Sequence, residues 1–278
     1  MEKTKELKGK LLLLFIATFI FLLSLNVTTH MTYKAFPKPL SASKMCSLQI
    51  SEQTLPPLNN TKHILVSAYM DQRVKGLDTR IIGIFKMDSD QPLYCLFCCA
   101  GQLSNATPTT ILKHNENFGF PFITTDVINQ KTGREEEQKF NFTVCISNLF
   151  GDYNNVLQFA QTLEMYRLLG VDRVVIYNTS CGPELDRLLQ SYSQEGFVEM
   201  VPWPIHRYLT PSKGWLFSQS GGDVHYFGQM TTLNECIYRS MERSHYVLLD
   251  DIDEIIMPYK HNNLMSLMDM LQKQQPNT

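Results

Sequence analysis

Between Tyr246 and Pro258 the chain reads Tyr-Val-Leu-Leu-Asp-Asp-Ile-Asp-Glu-Ile-Ile-Met-Pro, an apolar run that breaks into a knot of acids and then turns apolar again. The carboxylates of Asp250, Asp251, Asp253 and Glu254 repel one another and need a compensating charge. A hard divalent cation such as Mg²⁺ or Mn²⁺ supplies it, and such ions are held by carboxylates together with substrate phosphates. The chemistry suggested is metal-assisted handling of a phosphorylated substrate. An apolar run of this length bounded by polar residues reads as a buried strand. The acids then lie just past its carboxyl end, where open α/β sheets bind ligands.

Several readings of the acids stay open at this level. In a D-x-D metal site, Asp251 and Asp253 flank Ile252; in an extended segment the middle residue points away and both carboxylates share one side. In a haloacid-dehalogenase-type phosphatase the same pattern supplies nucleophile and general acid. That motif is expected near the start of its domain with Thr or Val two residues after the second Asp, whereas Ile255 stands there and several elements precede it. A calcium loop of the EF-hand kind needs a Gly and spaced oxygen ligands that do not follow Asp253. A solvated acidic turn is the plain alternative.

The elements that would position the acids alternate. Phe142 to Ser147 reads as a strand. Val156, Phe159, Leu163, Tyr166 and Leu169 fall at helical spacing, with Gly170 placed to end that helix. Val171 to Tyr177 is a second strand. Pro183 opens a helix with Leu185, Leu188, Leu189 and Tyr192 on one face and Gly196 as its stop. Phe197 to Val201 is a third strand. After a loop holding Trp203, Trp215 and Gly221-Gly222, the residues Met230, Leu233, Ile237 and Met241 mark another helix, followed by the Tyr246 to Leu249 strand. Leu264, Leu267, Met268 and Leu271 mark a last helix. Alternating strands and helices predict a parallel sheet covered on both faces, with right-handed crossovers and a Rossmann-like half. Upstream, His63 to Tyr69, Arg80 to Lys86 and Pro92 to Cys98 read as strands of an accessory region, and Gln130 to Lys139 as a linker.

Other chemistries lose support. No Gly-x-Gly-x-x-Gly, Walker A or Gly-x-Ser-x-Gly pattern occurs. The histidines form no His-x-x-x-His pair; His206 and His225 flank the tryptophan-containing loop and can approach a substrate or be structural. Trp203 and Trp215 can stack on a sugar face, although core packing is the ordinary role of such aromatics. Gly221-Gly222-Asp223 either lets backbone approach a ligand or forms a turn. Net charge is −2 with 19% charged residues, and no basic stripe suggests nucleic acid.

Lys3, Lys5, Lys8 and Lys10 precede an uncharged run from Leu11 to Val27, at the short end of the roughly 17–25 residues that span a bilayer. Lysines on its amino-terminal side predict a cytosolic N-terminus and a lumenal bulk; the run exceeds the usual h-region and no Ala-x-Ala site follows, which favours an anchor over a cleaved signal. Lumenal exposure fits the sequons at Asn59, Asn105, Asn141 and Asn178. It also makes structural disulfides the expected role of the seven cysteines. The C-x-x-C from Cys95 to Cys98 lacks a second ligand pair at zinc spacing.

Several blocks together resemble glycosyltransferase family 92: Val144-Cys145-Ile146-Ser147-Asn148-Leu149-Phe150-Gly151, Leu168 to Asn178, Gly196-Phe197-Val198-Glu199 with Pro202-Trp203-Pro204, Gly228-Gln229 leading to Leu233-Asn234-Glu235-Cys236, and Leu249 to Ile255. The resemblance implies a type II Golgi enzyme of GT-A fold that transfers galactose, with inversion, from UDP-galactose to a glycan acceptor. It implies Asp251 and Asp253 as ligands of Mn²⁺ and the donor diphosphate, with Asp250 assisting substrate binding. The expected organisation is a cytosolic tail (1–10), a transmembrane signal anchor (11–27), a stem (28–60), a strand-rich accessory region (61–139) and an α/β, GT-A-like domain (140–278). Because GT-A enzymes build acceptor site and general base after the D-x-D segment, the base is expected beyond Thr278 and the domain incomplete. Expected partners are a nucleotide sugar, a glycan acceptor, the membrane and a second copy of the chain, with no nucleic acid. The alternative function is a non-catalytic lumenal protein associating with full-length relatives.

Overall fold

The computed structural model describes residues 54–59, 61, 63–71, 78–85, 92–99, 102–112, 122–126, 139–212, 214 and 216–275. The expected tail, the expected anchor at 11–27, the expected stem up to residue 53, the expected linker or exposed turn from 130 to 138, Trp215 and Thr278 lie outside them. Among the described residues no helix is long and apolar enough to cross a membrane.

The upstream strands are β1 (Ile64–Asp71), β2 (Asp78–Ile84), the two-residue pieces β3 (Tyr94–Cys95), β4 (Cys98–Cys99), β5 (Gln102–Leu103) and β6 (Thr107–Pro108), then β7 (Thr110–Leu112) and β8 (Phe122–Asp126). An antiparallel sheet runs in the order β1-β2-β8-β7. The strand expected from Pro92 to Cys98 is broken instead into two short ladders, β3 with β6 and β4 with β5.

From Phe140 onward strand and helix alternate: β9 (Phe140–Leu149), α1 (Val156–Leu168), β10 (Arg173–Asn178), α2 (Pro183–Gln194), β11 (Val198–Pro202), the single turn α3 (Phe217–Ser220), α4 (Gln229–Ser240), β12 (Ser244–Asp250) and α5 (Leu264–Gln274). Local chemistry sets these ends. The Asn155 side chain accepts from Gln158 N and caps α1, and Gly170 closes it at φ +84°, a backbone state glycine adopts without a Cβ penalty. Pro183 sits in the first turn of α2, where its missing N–H costs nothing.

The sheet order is β11-β10-β9-β12, all parallel. The chain therefore builds outward from β9 through β10 to β11, then returns to the other side of β9 with β12. Alternate residues face opposite layers. Val144, Ile146, Val174 and Ile176 meet Phe159, Leu163 and Tyr166 of α1, Leu185 and Leu189 of α2, and Leu264 of α5. Cys145, Val175, Tyr177 and Val201 meet Trp203, Ile205, Val224 and Cys236, and also Leu55, Ile64 and Ile84 from the upstream region. Burial on both faces explains the near-continuous apolar strands.

Helix α4 forms where its spacing predicts but buries a different face. Thr231, Thr232, Glu235, Cys236 and Ser240 are buried, while Met230 is half exposed. This face is held by specific bonds rather than by apolar area. Cys236 is disulfide-bonded to Cys145 of β9. Glu235, fully buried, accepts from Tyr69 of β1, Tyr177 of β10 and Arg239. Arg239 continues to Glu199 of β11 at 2.9 Å, which also pairs with Arg173.

Candidate functional site

The acids occupy the point where the sheet order reverses. Asp250 ends β12 and pairs with Ile146 of β9, so the crevice between these two strands opens at their carboxyl ends, the ligand-binding position of open α/β sheets. Beyond Asp250 the chain does not stay extended. It turns, closed by Glu254 N donating to Asp251 O at 3.1 Å. Ile252 packs into the core beneath α1, and Asp251, Asp253 and Glu254 are exposed. The expected outcome, Ile252 inward and both flanking carboxylates outward, is reached by a turn rather than by strand alternation.

Helix α1 holds this turn from below. Thr162 Oγ1 donates to Ile252 O at 2.8 Å. Tyr166 OH donates to Asp250 Oδ2 at 3.1 Å and lies 3.4 Å from Glu254 O. Burial raises the Asp250 carboxyl above the usual range, with Glu254 and Asp251 adding to the rise and the Tyr166 hydrogen bond opposing it. Burial, then the Asp250 charge, pushes the Tyr166 hydroxyl upward. Tyr153, in the loop after β9, is shifted up by burial and by Asp253.

Among the described residues no cation forms an ion pair with any of the four acids, and no group of three or more His, Cys, Asp or Glu is arranged to hold a metal. The donor set is thus two exposed carboxylates, Asp251 and Asp253, backed by a half-buried third. That set suits a hard cation that keeps waters and takes its remaining oxygens from substrate phosphates. It does not suit a closed structural metal cage.

A separate strained wall stands at the end of β9 and in the loop before α4. Tyr226 and Phe227 both adopt left-handed backbone, at φ 41° and 56°, costing about 1–3 kcal/mol each for non-glycine residues. The surroundings hold them there. Asn148 Nδ2 donates to Phe227 O at 2.8 Å, Trp203 Nε1 donates to the same oxygen at 2.8 Å, and Ser212 Oγ accepts from Tyr226 N. Phe150 stacks on Phe227 at 4.3 Å and meets Tyr226 edge-on. The Asn148 Oδ1 atom is buried without a hydrogen-bond partner.

The structure thus brings Asp250, Asp251 and Asp253 together and separates the other candidates. Trp203 is fully buried and serves the core and this wall. Gly222, at φ +107° with backbone packed where a Cβ would stand, closes a turn locked by Thr210 and Asp223. His206 is exposed and His225 buried. Cys98 is disulfide-bonded, which removes the C-x-x-C as a dithiol. Asn59, Asn105 and Asn141 are exposed, and Asn178 is half-buried with its amide nitrogen on Cys181 Sγ. Apolar periodicity passed over Thr162 and took Tyr166 for a core residue; hydroxyls one helical turn apart on a buried face were the available signal for their role. The backbone of Tyr226 and Phe227 left none.

Comparison with known proteins gives the following. The pattern described as glycosyltransferase family 92 matches residues 140–278. Beta-1,4-galactosyltransferase galt-1 of Caenorhabditis elegans is 25% identical over 134 residues, covering 47% of this chain and 28% of that protein. Glycosyltransferase family 92 protein F13G3.3 of the same organism is 26% identical over 135 residues, covering 48% and 26%. The chain therefore spans little more than a quarter of the length of these relatives. Among solved structures, a ferredoxin-NADP⁺ reductase from Plasmodium falciparum aligns over 77% of this chain and 92% of its own at 11% identity and a TM-score of 0.21, too slight a likeness to carry weight.

Proposed function

Because this chain belongs to glycosyltransferase family 92, we propose that its acid turn is the donor site of a GT-A-like, metal-dependent hexosyltransferase. The observation that carries the reading is the placement of Asp251 and Asp253, exposed and without a cationic partner among the described residues, at the switch point between β9 and β12. A nucleoside diphosphate with a divalent cation is the ligand class that compensates these charges. The D-x-D pair follows the fourth strand of its sheet rather than opening it, which weighs against the phosphatase reading, as does the family.

The proposed substrate is UDP-galactose and the proposed acceptor a glycan, in line with the name of the galactosyltransferase relative. The reaction would be a single displacement with inversion, in which an acceptor hydroxyl replaces the nucleoside diphosphate at the anomeric carbon. Mn²⁺ or a similar ion, when bound, supplies Lewis acidity toward the departing diphosphate. The chain's own residues do the rest of the placing. Asp251 and Asp253 hold the ion, Ile252 seats the turn on α1, and Asp250 shares its carboxylate between Tyr166 and the ligand side. Phe150 at the end of β9, with the Tyr226–Phe227 pair clamped to Asn148, is proposed to border the crevice. Lumenal placement in the Golgi behind an anchor at 11–27, with glycans at Asn59, Asn105, Asn141 and Asn178, completes the proposal; Asn178 would have to turn its amide outward.

Titration calorimetry with UDP-galactose, with and without Mn²⁺, tests it. Binding that requires Mn²⁺ and is lost in Asp251→Ala and Asp253→Ala is expected. Binding indifferent to both substitutions would sink the donor-site assignment.

A further inference from the structure

We propose that Tyr166 and Thr162, on the buried face of α1, are positioning residues that shape the acid turn for a divalent cation; this role rests on the donor-site reading above. The two side chains stand one helical turn apart, so both project toward the same neighbour. Tyr166 is 1% and Thr162 4% exposed, and their companions on this face, Phe159 and Leu163, are apolar. Phe and Val would fill the same space without polar atoms. A hydroxyl buried there is costly unless it is hydrogen-bonded, and both are spent on a single target.

Thr162 Oγ1 fixes the carbonyl of Ile252, the residue between the two proposed ligands. The Tyr166 proton goes to Asp250 Oδ2 at 3.1 Å, the charged and nearer acceptor, rather than to Glu254 O at 3.4 Å. One end of the turn is thereby pinned at its side chain and the middle at its backbone. Asp251 and Asp253 are left pointing outward in a set relation to each other. Without the two hydroxyls the turn keeps its acids but loses what orients them. Groups that orient ligands in this way change metal affinity by roughly 10–100-fold when removed.

The experiment is Mn²⁺ uptake by the full chain in the presence of UDP, read from the loss of the free-Mn²⁺ electron paramagnetic resonance signal, with thermal unfolding of the metal-free protein measured in parallel. Tyr166→Phe and Thr162→Val are expected to weaken Mn²⁺ binding about tenfold, and Thr162→Ser, which keeps the hydroxyl, to restore it. Wild-type affinity in Tyr166→Phe and Thr162→Val, alongside loss of binding in Asp251→Asn, overturns the positioning role and leaves the donor site standing. Variants that melt earlier but bind Mn²⁺ normally while folded overturn it as well. A wild-type chain that takes up no Mn²⁺ with UDP overturns the donor site, and the positioning role with it.

Discussion

Tyr69, on the first strand of the antiparallel sheet, donates its hydroxyl to Glu235 Oε1 at 2.5 Å across 166 residues of sequence. The other carboxylate oxygen takes the hydroxyl of Tyr177, so one buried acid joins the upstream region, the parallel sheet and α4. Burial, with the Glu235 charge beside them, pushes both tyrosine hydroxyls upward, and they remain protonated donors through the neutral range.

Glu235→Gln should therefore be costly. It removes the charge that two hydroxyls and Arg239 are built around, and breaking one partner of a buried pair costs about 3–5 kcal/mol. The lower end applies, because Arg239 keeps Glu199 and is 28% exposed. Tyr69→Phe should cost about 1.5–3 kcal/mol, as expected for one hydrogen bond to a charged acceptor. Urea unfolding midpoints check both; wild-type midpoints in both variants would contradict the bridging role.

Glu199 predicts an acid-sensitive step. Burial works to raise its carboxyl, but Arg173 and then Arg239 outweigh it and hold the group below its ordinary 4.5. A depressed folded value means the stabilisation is present above the unfolded value and is lost as pH falls through the folded one. Thermal midpoints measured downward from pH 7 should fall more steeply below about pH 4.5 in the wild type than in Glu199→Gln. Equal slopes would remove Glu199 from the acid response.

The Cys145–Cys236 bridge closes a sequence separation of 91, for which the chain-entropy model gives about 4–5 kcal/mol. Both sulfurs are fully buried, so mild reductant should act slowly on the native protein and quickly once urea is present. Cys145→Ala with Cys236→Ala should lower the unfolding free energy by an amount within that range, read from the urea midpoint and slope. Rapid reduction under native conditions would argue against the burial described.

Asn148→Ala tests the strained wall. With its amide gone, the Phe227 carbonyl depends on Trp203 alone, and the left-handed pair at 226–227 loses a clamp. A cost of about 1–3 kcal/mol is expected, with weaker UDP binding among the molecules that remain folded. An unchanged midpoint and affinity would mean that Trp203, Ser212 and Phe150 suffice.

Most of the frame could be read from residue spacing because these strands are apolar on both faces and their helices carry ordinary caps and stops. Gly170, Pro183 and Gly196 punctuate the chain where the elements begin or end. The acid cluster was legible for the same reason, since charge ends the β12 run abruptly. What spacing missed is polar and buried. The inward face of α4 is Thr231, Glu235 and Cys236, so a search for apolar periodicity selects Met230, on its wet side. Tyr166 passed as one more core residue because an aromatic ring at helical spacing conceals the errand of its hydroxyl. The turn after Asp250 looked extended because nothing in Asp-Ile-Asp-Glu announces the bond from Glu254 N to Asp251 O.

The pairing of β12 with β9 has a kinetic side. Leu249 lies opposite Cys145, so closing the crevice means searching for a partner across a long intervening chain, the kind of contact that slows folding. Oxidation changes the search. Once Cys236 is tied to Cys145, β12 hangs on a short tether beside the strand it must find, and the separation of 91 no longer has to be crossed by diffusion. A chain in which the sulfurs pair first would assemble its acid turn in step with the redox state of the compartment in which it is made.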